Sequence, residues 1–238
     1  MKGIPLLKLD KKNISRDFIL FILLPVPLLL ALLLKWGFSE LAIFTSKWLD
    51  LYAYSPLFLI FLIVLGPLLT GMVSGLMLVD EADENIIPAI AVTPLGRKGY
   101  MLYRLTSPLI WSFLILLPVP IISGLAEINY LFYIPIILLA SLGATLEALL
   151  IAILAGNKIE AMAMGKVTGI LFIGPFIGWF APSPWKFFAG VLPSFWVSES
   201  YFSAVSGSVY WPINTIVGLL ISVGFILVLL KKYNSRAD

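Results

Sequence analysis

The chain has 238 residues, 61% of them hydrophobic and 12% charged, with mean hydropathy +1.04 and a formal net charge of +3. That is more apolar surface than a water-soluble fold of this length buries, so the bilayer is its solvent and the backbone must satisfy its own hydrogen bonds. Cys and His are both absent, which excludes disulfides, His-ligated haem, the usual zinc motifs and membrane proteases that need a Ser-His pair or a His-bound metal.

The apolar runs are continuous rather than alternating, which selects helices of roughly 20 residues over a barrel. Six spans follow in chain order, at 18–34, 56–79, 105–123, 131–155, 167–181 and 212–230, predicting an all-α polytopic membrane protein with a single transmembrane domain over 1–238. The first run follows a basic N-terminus as a signal peptide does. However, Lys35-Trp36-Gly37 lacks the small-x-small cleavage pattern, so the run is expected to remain as a span. The fifth run is short and interrupted by Pro175, which predicts a bend or an extension into 162–166.

Basic residues fix the expected orientation. With the N-terminus inside, the inner segments hold Lys2, Lys8, Lys11, Lys12 and Arg16, then Arg97, Lys98 and Arg104, then Lys158 and Lys166, then Lys231, Lys232 and Arg236. Of the 16 basic residues, only Lys35, Lys47 and Lys186 fall outside. The bias places both termini in the cytoplasm. Trp36, Trp48, Tyr52, Tyr54, Trp185, Trp196, Tyr210 and Trp211 then gather near the outer interface, where amphipathic rings sit. The inner lysines are suited to anionic lipid headgroups, and no basic-aromatic run points to nucleic acid.

The inner loop over 80–100 runs from an acidic cluster, Asp80-Glu81-Ala82-Asp83-Glu84, through a short apolar run to Thr93-Pro94 and a basic restart. Asp83 or Asn85 is placed to cap a helix, and Pro94 pushes Thr93 out of helical geometry. The spacing predicts a helix of about two turns from Glu84 to Val92, too short to span. By spacing alone it is either a docking knob or an ordinary amphipathic loop.

Glu147 lies midway along the fourth run, where a carboxylate faces the bundle interior or water. It can hold a cationic group of a substrate, pair with an Arg, or sit protonated or bonded to Thr145 or a neighbouring span. In the fifth run Gly165 and Gly169, then Gly174 and Gly178, have the four-residue spacing of close helix contacts, as do Gly71 and Gly75 in the second. The segment 183–210 is long and aromatic enough to re-enter the outer leaflet. Gly165-Lys166-Val167 lacks the earlier glycine and the hydroxyl residue of a P-loop, so this chain does not bind ATP by that route.

The loop resembles that of the type-2 ABC export permeases, carried by Glu81, Glu84, Thr93, Pro94, Leu95, Arg97 or Lys98, and Tyr100. Three further segments agree: Lys8-Leu9-Asp10 through Arg16-Asp17 before the first span, Ala155 to Glu160 with Lys166 in the second inner loop, and Val191 to Trp196 before the last span. The resemblance covers nearly the whole chain and is strongest to small permeases of the drug or fluoroquinolone exporter kind.

It implies a non-catalytic half-transporter in a prokaryotic plasma membrane, pairing with a second copy or a sister permease and with cytosolic ATPase subunits that carry the ATP and Mg. The substrate it implies is amphiphilic or drug-like. Glu81, Glu84, Ile87, Ile90, Thr93, Pro94, Leu95 and Arg97 would couple to the ATPase. The fifth-span glycines Gly165, Gly169, Gly174 and Gly178 would lie at a dimer seam, and 183–210 would form two short outer helices. Pro88 departs from the family pattern and predicts a shortened or shifted docking element. The competing readings are a proton- or ion-coupled transporter using Glu147, a membrane enzyme, for which no facing cluster of catalytic groups is found, and an assembly factor.

Overall fold

The computed structural model describes residues 10, 18–84, 86–91, 93–126, 129–181 and 184–236. Its helices are α1 (Phe18–Leu23), α2 (Val26–Thr45), α3 (Ser55–Asp83), α4 (Ile86–Ala91), α5 (Gly96–Leu116), α6 (Val119–Ser123), α7 (Tyr130–Leu154), α8 (Lys158–Thr168), α9 (Gly174–Phe180), α10 (Pro193–Val205) and α11 (Trp211–Arg236). Short 3₁₀ helices join them at Leu51–Tyr54, Gly169–Phe172 and Trp185–Val191. Among the described residues, six stretches are long and apolar enough to cross a membrane: Val26–Thr45, Leu51–Asp83, Lys98–Ser123, Tyr130–Leu154, Lys158–Phe180 and Trp211–Tyr233.

Two of these differ from the sequence expectation in ways that matter. The first span is displaced from 18–34 to Val26–Thr45. Pro25 and Pro27 cannot donate within a helix and clash with the preceding turn, so the chain breaks after Leu23 and restarts with Pro27 in the first turn. The second span runs on from 79 to Asp83, which moves Asp80 and Glu81 out of the loop and into the helix. The fifth behaves as Pro175 predicts: it extends back to Lys158, tightens to 3₁₀ at Gly169–Phe172 and restarts at Gly174.

Helix starts are set locally. Asn129 accepts from the Leu131 amide at 3.0 Å, and Asn157 accepts from the Glu160 amide at 3.0 Å. Glu160 reaches back to the Gly156 amide at 2.8 Å, so the α8 start is satisfied from both sides.

The second and fourth spans form the centre. In their most apolar windows 61% and 72% of residues are buried, against 22%, 28% and 17% for the first, fifth and sixth, whose apolar faces look outward. Gly71 and Gly75 allow the central contact. A Cβ on Gly71 would lie 2.5 Å from Glu147 Cβ and 2.6 Å from the Ala144 carbonyl, and one on Gly75 would lie 2.9 Å from Ile151 Cβ. Gly71→Ala therefore forces backbone apart and is expected to cost about 1–3 kcal/mol. Gly37, in α2 with nothing within 4 Å of the same position, should accept Ala without loss. Thermal denaturation of the two purified variants, followed by gel filtration, checks the contrast.

Three of the four fifth-span glycines expected at a dimer seam have close neighbours inside the chain. Gly165 packs on Met72, Gly174 on the Ser194–Phe195 backbone and Gly178 on Ser198, all within the chain. Close backbone approach is used for internal packing, and only Gly169 has open space beside it.

Candidate functional site

The Lys- and Arg-bearing end of the bundle holds a buried charge cluster. Arg104, one turn beyond Tyr100 on α5, is 2% exposed and donates to Glu81, in the last turn of α3. Its guanidinium also lies 3.0 Å from Asp10 of the N-terminal segment. The Tyr100 hydroxyl donates to Glu81 and that of Tyr103 to Asp10, while the two rings stand 5.6 and 5.5 Å from the guanidinium carbon. One cation thus ties three chain segments together; Glu81 accepts at both oxygens, Asp10 at Oδ2 alone, and Asp10 Oδ1 and Arg104 Nε are buried without a hydrogen-bond partner. Beside it, Lys158 pairs with Asp80 at 2.8 Å, but both are partly exposed and the pair contributes little.

The short helix α4 sits against this cluster. Ile90 and Leu95 pack on Leu78, Tyr100 and Ala148. Its predicted extent, Glu84 to Val92, shrinks to Ile86–Ala91. Glu84 is the turn residue closing α3, its amide donating to the Asp80 carbonyl at 3.0 Å, and Asp83 is the last residue of α3 rather than a cap for α4. Asn85 and Val92 lie outside the described residues. Pro88 falls at the third helical position, where an amide has no intrahelical partner, so its missing donor costs the helix nothing there. After the helix, Thr93 Oγ1 donates to the Ile90 carbonyl at 2.7 Å, and Gly96 takes φ +66°, a left-handed value that suits glycine.

The coupling residues read from the sequence therefore separate. Glu84, Thr93 and Pro94 are exposed on the surface of the connection. Ile90 and Leu95 face the cluster, and Ile87 and Arg97 have side chains outside the described residues. Glu81 is 2% exposed and accepts from Arg104, which pins α3 to α5. The sequence reading missed Arg104 as the centre of this arrangement. In the sequence Arg104 is one inner positive charge among several, and its place at the edge of an apolar run is the signal of a buried partner.

Glu147 is fully buried in α7. Its partner is Thr168 of α8, whose hydroxyl donates to Oε1, whereas Thr145 donates to the Leu105 carbonyl at 2.8 Å. Oε2 has no hydrogen-bond partner. The residue borders an apolar cavity of about 220 Å³ between α3, α7, α10 and α11, with Pro67, Phe172, Val197 and Phe225 in its wall.

At the aromatic end the chain forms the short 3₁₀ helix Trp185–Val191 and then α10. Phe195, Val197, Ser198, Ser200 and Tyr201 of α10 are buried. Ser198 and Ser200 donate back to the Phe195 and Trp196 carbonyls, both at 2.7 Å, which lets a polar helix sit among the spans. Here the sequence reading missed Lys186 and Glu199, an ion pair at 2.7 Å.

Residues 10–230 match the family described as fluoroquinolones export permease protein Rv2686c-like. Two similar relatives, both named fluoroquinolones export permease protein, come from Mycobacterium tuberculosis strains CDC 1551 / Oshkosh and ATCC 25618 / H37Rv. Each is 29% identical over 190 residues, covering 79% of this chain and 75% of the relative. No solved structure matches. Six apolar spans and a match over nearly the whole length lead to one conclusion: the chain is a multi-pass membrane protein that belongs to the Rv2686c-like fluoroquinolones export permease family, a non-catalytic transport subunit.

Proposed function

We infer that this export permease is the membrane half of an ATP-binding-cassette exporter, working as a dimer with separate cytosolic ATPase subunits. Both termini and α4 face the cytoplasm of a prokaryotic cell, and the protein resides in its plasma membrane. The substrate is amphiphilic or drug-like, as the relatives' names indicate for those proteins.

The observation that carries this reading is α4 itself, a helix too short to span, whose Ile90, with Leu95 just after the helix, packs on Leu78, Tyr100 and Ala148, Tyr100 being the residue that donates to the buried Glu81. A push on α4 from below is transmitted to α3 and α5 together, because those two helices are pinned to each other just beneath it. Exposed Glu84, Thr93 and Pro94 are the side chains available to an ATPase, which brings its own ATP and Mg. The outward apolar faces of the first and sixth spans are available to lipid or to a second permease.

Affinity purification of the tagged protein in mild detergent tests this. An ATPase subunit and its activity are expected to travel with the wild type and to be lost with Glu84→Ala plus Pro94→Ala, since both side chains are exposed and their removal leaves the core intact. ATPase activity that co-purifies equally with both proteins would rule out the docking role. No ATPase with either would remove the ABC reading altogether.

One observation favours a second reading, a proton- or ion-coupled transporter: Glu147 is buried with a free oxygen beside a cavity. Transport that follows the proton gradient rather than nucleotide would establish it.

A further inference from the structure

We propose that the aromatic end of the bundle carries a second, outer binding site, a vestibule for a planar aromatic molecule bearing a protonated amine, with Glu199 as its anchor and Lys186 as the group that such an amine displaces.

The vestibule is a cavity of about 780 Å³ with Trp179, Phe187, Phe202 and Tyr210 around it and Glu199 and Asn214 at its polar side. That volume suits a drug-sized ligand. It is distinct from the Glu147 cavity. Ser194 and Val197 of α10 border the inner one and Glu199 and Phe202 the outer, positions that fall on opposite faces of the helix, so α10 is the wall between the two.

Glu199 is the charged residue of α10 and, like the Tyr201 hydroxyl on the same helix, leaves a buried polar atom unpaired. Its serine neighbours return their hydroxyls to the helix backbone, but Glu199 is 9% exposed and uses only Oε1, which accepts from Lys186 at 2.7 Å. Oε2 is buried without a hydrogen-bond partner. A carboxylate accepts at both oxygens, so the site holds unused capacity for a donor. Lys186 comes from the Trp185–Val191 turn rather than from a span, and it keeps 20% of its side chain exposed. Its ammonium also stands 5.3 Å from the Phe187 ring.

A ligand ammonium entering here meets the same carboxylate and the same ring face that now hold Lys186, while its aromatic body lies among Trp179, Phe202 and Tyr210. Trp179 and Phe202 already stand tilted at 60° to one another, with centroids 5.1 Å apart, and Tyr54 lies 6.0 Å from Trp179. A purely apolar guest would leave Oε2 unsatisfied, and an anion would face the carboxylate with the only adjacent cation already paired among the described residues. Charge and shape together select an aromatic cation.

The site concerns the permease alone, so its test needs no ATPase and is separable from the coupling reading. The full chain is placed in nanodiscs of phosphatidylcholine and phosphatidylglycerol, and binding of 1-pyrenemethylamine is followed by energy transfer from tryptophan, with empty discs subtracted. 1-Pyrenemethanol serves as the neutral isostere. The amine is expected to bind more tightly than the alcohol, and Glu199→Gln, which still accepts from Lys186, to weaken the amine about tenfold while leaving the alcohol unchanged. Lys186→Met should strengthen the amine, a direction that damage to the fold would not produce. Equal binding of amine and alcohol, or weakening of the amine by both variants alike, overturns the proposal. Displacement of the amine when phosphatidylethanolamine is added to the discs also overturns the aromatic assignment, because a lipid ammonium would then be the occupant.

Discussion

Arg104→Met is expected to lower the stability of the purified protein by about 3–5 kcal/mol, the cost of removing one partner from a buried charge pair. Glu81 and Asp10 would be left as buried carboxylates whose remaining described hydrogen bonds come from Tyr100 and Tyr103. Arg104→Lys should recover only part of the loss, since an ammonium is a point charge on a shorter arm and does not stack between the two rings as the guanidinium does. Glu81→Gln is the milder change, because an amide oxygen still accepts from Tyr100. Thermal denaturation in detergent ranks the four proteins as wild type, then Glu81→Gln and Arg104→Lys, then Arg104→Met. An Arg104→Met profile that overlays the wild type would show that the cluster does not hold α3 to α5. Transport should fail in the same order if α4 works through this cluster.

The second large effect is expected at Glu147. Glu147→Gln keeps an acceptor for Thr168 and so keeps α7 against α8, but it removes the ionisable carboxyl at that depth. Export of an amphiphilic cation should fall about tenfold, the worth of one charge-assisted contact, and export of a neutral analogue should be unaffected. Uptake into inside-out vesicles resolves the alternatives when nucleotide and the proton gradient are varied separately. ATP-driven uptake that survives dissipation of the gradient, with Glu147→Gln impairing only the cation, fits a substrate contact in an ATP-driven exporter. Uptake abolished by dissipation and by Glu147→Gln alike, for cation and neutral compound together, fits a proton carrier and would displace the ATP-driven reading. A variant that exports both compounds normally would show that the buried carboxylate is structural.

The membrane class and the number of spans were legible because they rest on composition and run length, which tertiary contacts cannot reverse: a run of twenty apolar residues has one inexpensive environment. The bend at Pro175 was legible for the same kind of reason, a missing donor. The first span was misplaced although Pro25 and Pro27 stood in the sequence, because hydropathy outweighed backbone chemistry in reading that run. Glu81 reads as part of the acidic cluster that opens the inner loop; its partner lies 23 positions away, and no local pattern reveals it. The fifth-span glycines have the spacing of close contacts, and three of them meet neighbours within the chain. Small residues announce a close approach but not the surface approached, and here it is α3 and α10. Lys186 and Glu199 sat in a segment read as aromatic, and their pairing depends on a turn folding back over α10.

By itself, then, the sequence determined that this protein lives in a bilayer, crosses it six times and presents a short helix between its second and third spans. Those properties follow from hydrophobic transfer and from proline and glycine geometry, which act within a few residues. Only the tertiary structure decided which charges meet: Asp10, Glu81 and Arg104 at the basic end, Glu147 with Thr168 in the middle, and Lys186 with Glu199 at the aromatic end. The physical reason is the cost of a buried charge, which is met by whichever partner the packed helices bring within reach and not by the nearest one in the chain.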